Sequence, residues 1–445
     1  MEKRKIEMNE SPLKKIITEQ KKGNPVGIYS CCSANQYVLE AAMEDARDNN
    51  SVVLIESTAN QVDQNGGYTG MTPADFKNFV MEIAERTGLD PDKVILGGDH
   101  LGPLTVSHLP EKEAMAYARE LVRQYVAAGF TKIHIDTSMK VADDDPNTRL
   151  SDETISRRGA ELAEVCEKAY DQLKEENPDA VAPVYIVGSE VPIPGGAQDP
   201  QAGIQVTRPE DFKATYQAFE KAFAAKGLDR AWNNVIGVVV QPGVEEKDAG
   251  CTEYDRAKAV DLMKSIREFD NIVFEGHSTD YQTKYKLREL VEDGVGILKV
   301  GPGLTYAARE ALFALANMEA NDPDLSEADK SHFMDVLDEQ MIKDGKYWAK
   351  HYHGNEAELR HKRKYSFSDR SRYYMPDGAV SRAKDKMISN LRNRGIDLST
   401  LSQYMPIQYT KVREGSLEND PEALIKDYIR RTIGEYTYAT AQETL

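Results

Sequence analysis

Eight short apolar runs, each ending in polar, ionisable or glycine residues, recur between residues 25 and 305. They are Pro25–Ser30, Ser51–Ile55, Val94–Leu96, Lys132–Thr137, Val184–Val187, Val235–Val240, Asn271–Phe274 and Val295–Val300. β-Branched residues and short length mark them as buried strands, and most are followed by a stretch with helical apolar spacing. Alternating strands and helices demand a parallel sheet, and eight such units suit a closed barrel. The competing doubly wound sheet needs fewer strands and usually a glycine-rich dinucleotide loop after its first, which this chain lacks. The expected fold is therefore α/β, a (β/α)8 TIM barrel over 25–305, preceded by a polar segment (1–24) and followed by a helical C-terminal extension (306–445). A length of 445 residues accommodates a barrel of about 250 with these additions.

Helical spacing covers Gln36–Ala46, Glu111–Ala128 and Ser151–Glu175, and Thr72 with Pro73 reads as an N-cap and first turn. In the extension it covers Tyr306–Ala320, Ser326–Met341, Val380–Leu391 and Pro421–Tyr436. The stretch His351–Arg372, rich in His, Lys and Arg, reads as a solvated charged connector. The alternative is a basic arm over the barrel mouth or into a neighbouring subunit.

A formal net charge of −18 disfavours nucleic acid as the partner, because phosphate neutralisation needs a basic surface. No apolar run approaches the ~20 residues of a membrane span. The start, with Lys3, Arg4, Lys5, Lys14 and Lys15, lacks the apolar segment of a secretory signal, so a cytoplasmic location is expected. Four scattered cysteines, Cys31, Cys32, Cys166 and Cys251, read as reduced thiols.

In such a barrel the active site lies at the C-terminal ends of the strands. That rule collects Glu56, Asp99, His100, Asp136, Glu190, Gln241, His277 and Lys299. Asp99 and His100 set a proton-transfer carboxylate beside a metal ligand. His100 and His277, with Glu190 or Gln241, supply nitrogen and oxygen donors for a divalent ion such as Zn²⁺ and leave a position for substrate. His134, two residues before Asp136 and on the same strand face, reads as part of an interior layer. His108, His332, His351, His353 and His361 lie outside strand ends and read as surface residues.

Several longer stretches add a resemblance. Glu56–Val62, Gly66–Phe76, Gly97–Pro103, Val239–Glu245, His277–Thr283 and Leu298–Pro302, with Ser368–Arg370 and Tyr373–Tyr374 further on, resemble the GatZ/KbaZ family. These are the Z subunits associated with tagatose-1,6-bisphosphate aldolase, akin to class II, metal-dependent aldolases. The resemblance implies a (β/α)8 barrel in which Asp99 shuttles a proton, and His100 and His277 bind zinc, with manganese or nickel as substitutes. The remaining histidine ligand of the aldolases falls here on Gln241, a departure for which Glu190 could compensate. A second departure is Asp280: aldolases of this class follow the late histidine with a glycine-rich phosphate loop, and a carboxylate there repels an anion. That argues for an unphosphorylated sugar.

Relatives of this family include 4-epimerases that interconvert D-tagatose and D-fructose and accessory subunits that stabilise or activate a partner aldolase. The first activity is the expectation carried forward. In it Asp99 or Asp136 takes the C4 hydroxyl proton and the other, or Glu190, returns it. Glu56, Asn60, Gln61, Ser278, Thr279 and Lys299 contact the substrate, a ketohexose or its phosphate. A class II aldolase subunit and further copies of the chain are the protein partners this implies. Older usage calls such proteins tagatose-6-phosphate kinases, but no Gly-x-x-x-x-Gly-Lys-Ser/Thr loop exists in the chain.

Overall fold

The computed structural model describes residues 11–189 and 204–442. Helix α1 (Leu13–Lys21) lies within the polar start, and its Leu13, Ile16 and Ile17 are buried. Eight parallel β/α units follow. They are β1 (Ile28–Cys32) with α2 (Gln36–Asp48), β2 (Val53–Thr58) with α3 (Pro73–Thr87), and β3 (Val94–Leu101) with α4 (Glu111–Ala127). Next come β4 (Lys132–Ile135) with α5 (Asp152–Glu176), and β5 (Val184–Val187) with α6 (Pro209–Ala225) and the short α7 (Asp229–Asn233). After β6 (Val235–Val240) a hairpin of β7 (Glu245–Lys247) and β8 (Gly250–Thr252) precedes α8 (Arg256–Ser265). The last two units are β9 (Val273–Gly276) with α9 (Lys284–Asp293) and β10 (Val295–Val300) with α10 (Pro302–Ala320). The eight strands other than β7 and β8 close into one barrel, β10 pairing β1 in parallel, as the alternation of apolar runs predicts. The hairpin was not anticipated.

Helix starts follow the local chemistry. Thr72 accepts the Asp75 N–H while Asp75 bonds back to the Thr72 N–H, a capping box with Pro73 in the first turn. The barrel interior is layered. Ile28, Leu54, Ile95, Val184, Ile186, Ile236, Val273 and Ile297 form an apolar cluster, and Leu13, Ile16 and Ile17 of α1 belong to it. Above that floor the inward side chains become charged, one strand pitch nearer the C-terminal ends. Gly97 permits this, because a Cβ there would lie 2.7 Å from Glu56 Cγ, and so the Glu56 carboxylate can cross the interior.

The extension adds α11 (Phe333–Lys343), α12 (Glu356–Tyr365), α13 (Gly378–Arg394), α14 (Leu398–Tyr404), α15 (Pro406–Arg413) and α16 (Pro421–Thr440). Helix α16 packs on α2, α9 and α10, and the Tyr436 hydroxyl donates to the Thr279 carbonyl at 2.9 Å. The eighth unit runs on through α10 to Ala320, past residue 305. Among the described residues no helix is long and apolar enough to cross a membrane.

The basic stretch is not a solvated connector. Its first part is α12, and its second folds onto the barrel mouth. Phe367 stacks on Tyr281 at 4.1 Å between centroids, and the Tyr281 hydroxyl donates to the Phe367 carbonyl at 2.6 Å. The Phe367 N–H donates to the Asp248 carbonyl in the β7–β8 turn. Local composition could not reveal these contacts, which join residues more than eighty positions apart.

Candidate metal and sugar site at the barrel mouth

Three imidazoles meet at the C-terminal end of the barrel. The ring centroids of His100, His134 and His277 lie 4.9–5.2 Å apart. One nitrogen of each ring is committed to a protein oxygen. His100 Nδ1 is 2.8 Å from Asp136 Oδ2, His134 Nε2 is 3.0 Å from the Gly188 carbonyl, and His277 Nε2 is 3.0 Å from Glu275 Oε1. Such outer contacts fix the tautomer and ring orientation of metal-binding histidines.

His134 is the informative ring. A carbonyl oxygen only accepts, so Nε2 carries a proton, and in the neutral ring Nδ1 then holds the lone pair. That lone pair receives the His100 N–H at 3.2 Å and faces Asp99 Oδ1 at 2.8 Å. In the neutral ring these are two acceptors that need a positive charge beside them, and Lys299 Nζ, 2.8 Å from Asp99 Oδ1, supplies one; in the imidazolium Nδ1–H donates to Asp99 instead. Donor atoms on adjacent positions of one ion with bonds of 2.0–2.2 Å stand about 3 Å apart, so the separation fits two ligands of a shared cation. The side chains of Asp99, His134, Glu275 and His277, and those of His100, His134 and Asp136, form two groups whose donor atoms lie within 4.8 Å of one another. A nitrogen and oxygen set of this kind suits zinc, manganese or nickel.

Beneath the rings lies a buried charge network. Lys132 Nζ is 2.5 Å from Glu56 Oε1 and 2.6 Å from Glu275 Oε2, with all three side chains fully buried. Lys299 pairs with Glu56 and, at 2.8 Å, with Asp99 Oδ1. Burial alone would raise the acids. The imidazoles of His100, His134 and His277 instead hold Asp99 well below the carboxylate range, and His100 does the same for Asp136. Burial of Glu275 is outweighed by Lys132 and His277, which bring it down to about 2. Burial pulls the Lys299 ammonium down to about 8 and pushes the Cys32 thiol up to about 12.

The expected site residues divide. His100 and His277 are in the ring cluster, and Asp99 lies beside it. His100 (φ +50°) and Ser278 (φ +53°) adopt left-handed backbone, a strain that non-glycine residues keep only where surrounding structure imposes it. Asp136 lies at the site, but both its oxygens are occupied, Oδ2 by His100 and Oδ1 by the N–H and hydroxyl of Ser138. Its role becomes that of holding His100. Gln241 turns its Oε1 to the N–H groups of Gly243 and Val244, capping the turn after β6, so that oxygen is not offered to a metal. Glu56 lies within the barrel among lysines. Thr279 is fully buried, donating to the Lys299 carbonyl, and Gln61 Oε1 accepts the Thr58 N–H. These three hold structure rather than face substrate. Asn60 is exposed and Ser278 half-buried at the mouth. Glu190 lies outside the described residues.

Sequence reasoning missed His134 as a site residue, Glu275 and Lys132. All three were findable. Inward side chains alternate along a strand, so the residues two before Asp136 and His277, and Lys132 two before His134, face the same interior in successively deeper layers.

Asp280 does more than repel anions. Its Oδ1 accepts the N–H groups of Gly301 at 3.0 Å and Gly303 at 2.6 Å, at the first turn of α10. Burial, and then Glu246, raise it to about 7. The helix N-terminus after the last strand is a recurrent phosphate seat in these barrels, and here a side chain occupies it.

A family model described as "D-tagatose-1,6-bisphosphate aldolase subunit GatZ/KbaZ-like" matches residues 13–441. The crystal structure of a probable tagatose 6-phosphate kinase from Sinorhizobium meliloti 1021 is similar at 42% identity and a TM-score of 0.84, over 93% of this chain and 100% of that one. The fructose-bisphosphate aldolase of Campylobacter jejuni matches at 16% identity and a TM-score of 0.40, over 85% of this chain and 91% of that one.

Proposed function

Since the chain belongs to the GatZ/KbaZ-like family, we propose that it is a metal-dependent enzyme that interconverts D-tagatose and D-fructose, or their monophosphates, by inverting C4. The observation that carries this reading is the convergence of three oriented imidazoles on the ionised Asp99. The C4 hydrogen is β to the C2 carbonyl and not acidic, so direct deprotonation is unpromising. Cleavage of C3–C4 is the chemical alternative. The C4 hydroxyl gives its proton to Asp99, the C3–C4 bond breaks, and its electron pair passes to the C1–C3 fragment as an enediolate. The C4–C6 aldehyde rotates, C3 re-adds to its other face, and the proton returns to the new C4 oxygen. A bound divalent cation supplies Lewis-acid stabilisation of negative charge on the C2 oxygen. His100, His134 and His277 would hold it. Asp136 and Glu275 orient two of those rings, and Lys299 fixes the Asp99 carboxylate. Ser278 and Asn60 are placed to meet sugar hydroxyls.

Protein supplied with Zn²⁺, Mn²⁺ or Ni²⁺ should convert D-tagatose or its 6-phosphate to the fructose epimer in deuterated water without deuterium entering C4. Nuclear magnetic resonance reads both. Solvent deuterium at C4 would sink the cleavage mechanism.

The family description as an aldolase subunit favours a second reading, an accessory role towards a class II aldolase. Absence of interconversion with every metal and sugar, together with gain of activity by such an aldolase on mixing, would establish it.

A further inference from the structure

Arg370 and Arg372 lie on the turn that crosses the barrel mouth. The turn is tied down on three sides. Asp369 accepts the Thr305 hydroxyl of α10 at 2.5 Å, Phe367 stacks on Tyr281 in the loop after His277, and Tyr373 packs edge-on against Tyr68 at 5.0 Å, in the loop after β2. It therefore spans the end of the barrel that bears the imidazoles.

Its charge is unbalanced. Arg370 forms no ion pair with a carboxylate among the described residues, and its Nε is buried with no hydrogen-bond partner. The Arg372 guanidinium donates to the carbonyls of Ser368 and Asp369 and to the Tyr373 hydroxyl. Asp369, the acid nearest in sequence, faces Arg372 but has its oxygens engaged by Thr305 and Ser371 and pairs with Arg309 at 3.7 Å. Glu246 faces Arg370 from β7 beyond ion-pair distance, and its Oε2 is itself buried without a hydrogen-bond partner. Two other buried arginines, Arg158 and Arg363, each hold two carboxylates, whereas Arg309, 3.7 Å from Asp369, also has nitrogens without a hydrogen-bond partner. Arg370 and Arg372 are thus neighbouring guanidiniums with no carboxylate at ion-pair distance among the described residues, although Asp369 and Asp280 face Arg372. A part-buried guanidinium without a counter-ion is costly, and an oxyanion with several acceptor oxygens relieves both at once.

We propose that Arg370 and Arg372 form a phosphate subsite, through which the C-terminal extension binds the C6 phosphate of a ketohexose monophosphate. This rests on the epimerase reading. Cleavage at C3–C4 with C2 at the imidazoles leaves C1 beside them and C6 directed to the rim. Asp280 already fills the N–H groups of Gly301 and Gly303, so a second phosphate has no seat there, and a monophosphate is preferred to a bisphosphate.

The test has two arms on the full-length, metal-loaded protein. In the first, kcat/KM for D-tagatose 6-phosphate should fall about 30-fold or more in R370M and R372M, mostly through KM. For free D-tagatose it should stay within about threefold. R370K, which keeps the charge but loses the planar fork, should fall between. Equal losses on both sugars, or no loss, overturn the subsite. In the second arm, calorimetric titration with inorganic phosphate and with D-tagatose 6-phosphate should show binding to the wild type and none to R370M of unchanged melting temperature. No binding to the wild type, or equal binding to R370M, also overturns it. This arm needs no turnover. Phosphate binding without interconversion of any sugar would leave the subsite standing while the epimerase reading falls.

Discussion

His134→Ala should lose bound metal and activity together. The ring is fully buried, its Nε2–H is fixed on the Gly188 carbonyl, and its Nδ1 is presented beside Asp99. Loss of an outer contact to a metal ligand typically costs 10–100-fold in affinity or activity, so removal of the ring itself should exceed about 100-fold in both. Metal content per chain by mass spectrometry and kcat/KM for C4 inversion are the readouts. His108, which the sequence places away from every strand end, provides the control: H108A should leave both unchanged. Full metal content and rate in H134A would show that the imidazole cluster is structural.

Lys132→Met should be the most destabilising single change in the barrel interior. Lys132 bridges the fully buried Glu56 and Glu275 carboxylates at 2.5 and 2.6 Å, whereas Lys299, paired with Glu56, reaches Glu275 only at 4.0 Å. Removing it takes the nearest cation from both acids, leaving Glu56 with Lys299 and Glu275 with His277 and the more distant Lys299. Breaking a buried pair from one side costs about 3–5 kcal/mol, readable as a shift in the urea midpoint. The pH dependence should flatten as well. In the wild type Glu275 sits at about 2 against an ordinary 4.5, so its stabilisation is present above 4.5 and lost as pH falls towards 2. Without Lys132 its pKa rises towards the ordinary value, so the variant should lose less stability than the wild type as pH falls through this range. A variant with wild-type stability and pH profile would mean that the network is solvated.

The barrel was legible because each strand is a compact apolar run and each outlet is polar. The candidate site was legible only at its rim. Reading the last residue of each strand finds Asp99, His100 and His277, but also Glu56, which the Gly97 gap draws down to Lys132. It overlooks His134 and Glu275, one inward step deeper, where a polar residue within an apolar strand looks like ordinary core. Gln241 was legible as a polar strand end, but not as the cap of its own turn. The arm of Arg370 and Arg372 was illegible as a site, because its place depends on Phe367 meeting Tyr281 and Tyr373 meeting Tyr68, contacts between distant segments. Asp280 was readable as an obstacle to phosphate, while its seat on Gly301 and Gly303 required the structure.

In the proposed enzyme His100, His134 and His277 hold one divalent cation. Crystals grown with Zn²⁺ and measured on both sides of the zinc absorption edge test this directly. One strong anomalous peak is expected within about 2.0–2.2 Å of a nitrogen of each ring. A zinc-soaked crystal with no peak among the three rings, or with its peak bound elsewhere on the chain, would contradict it.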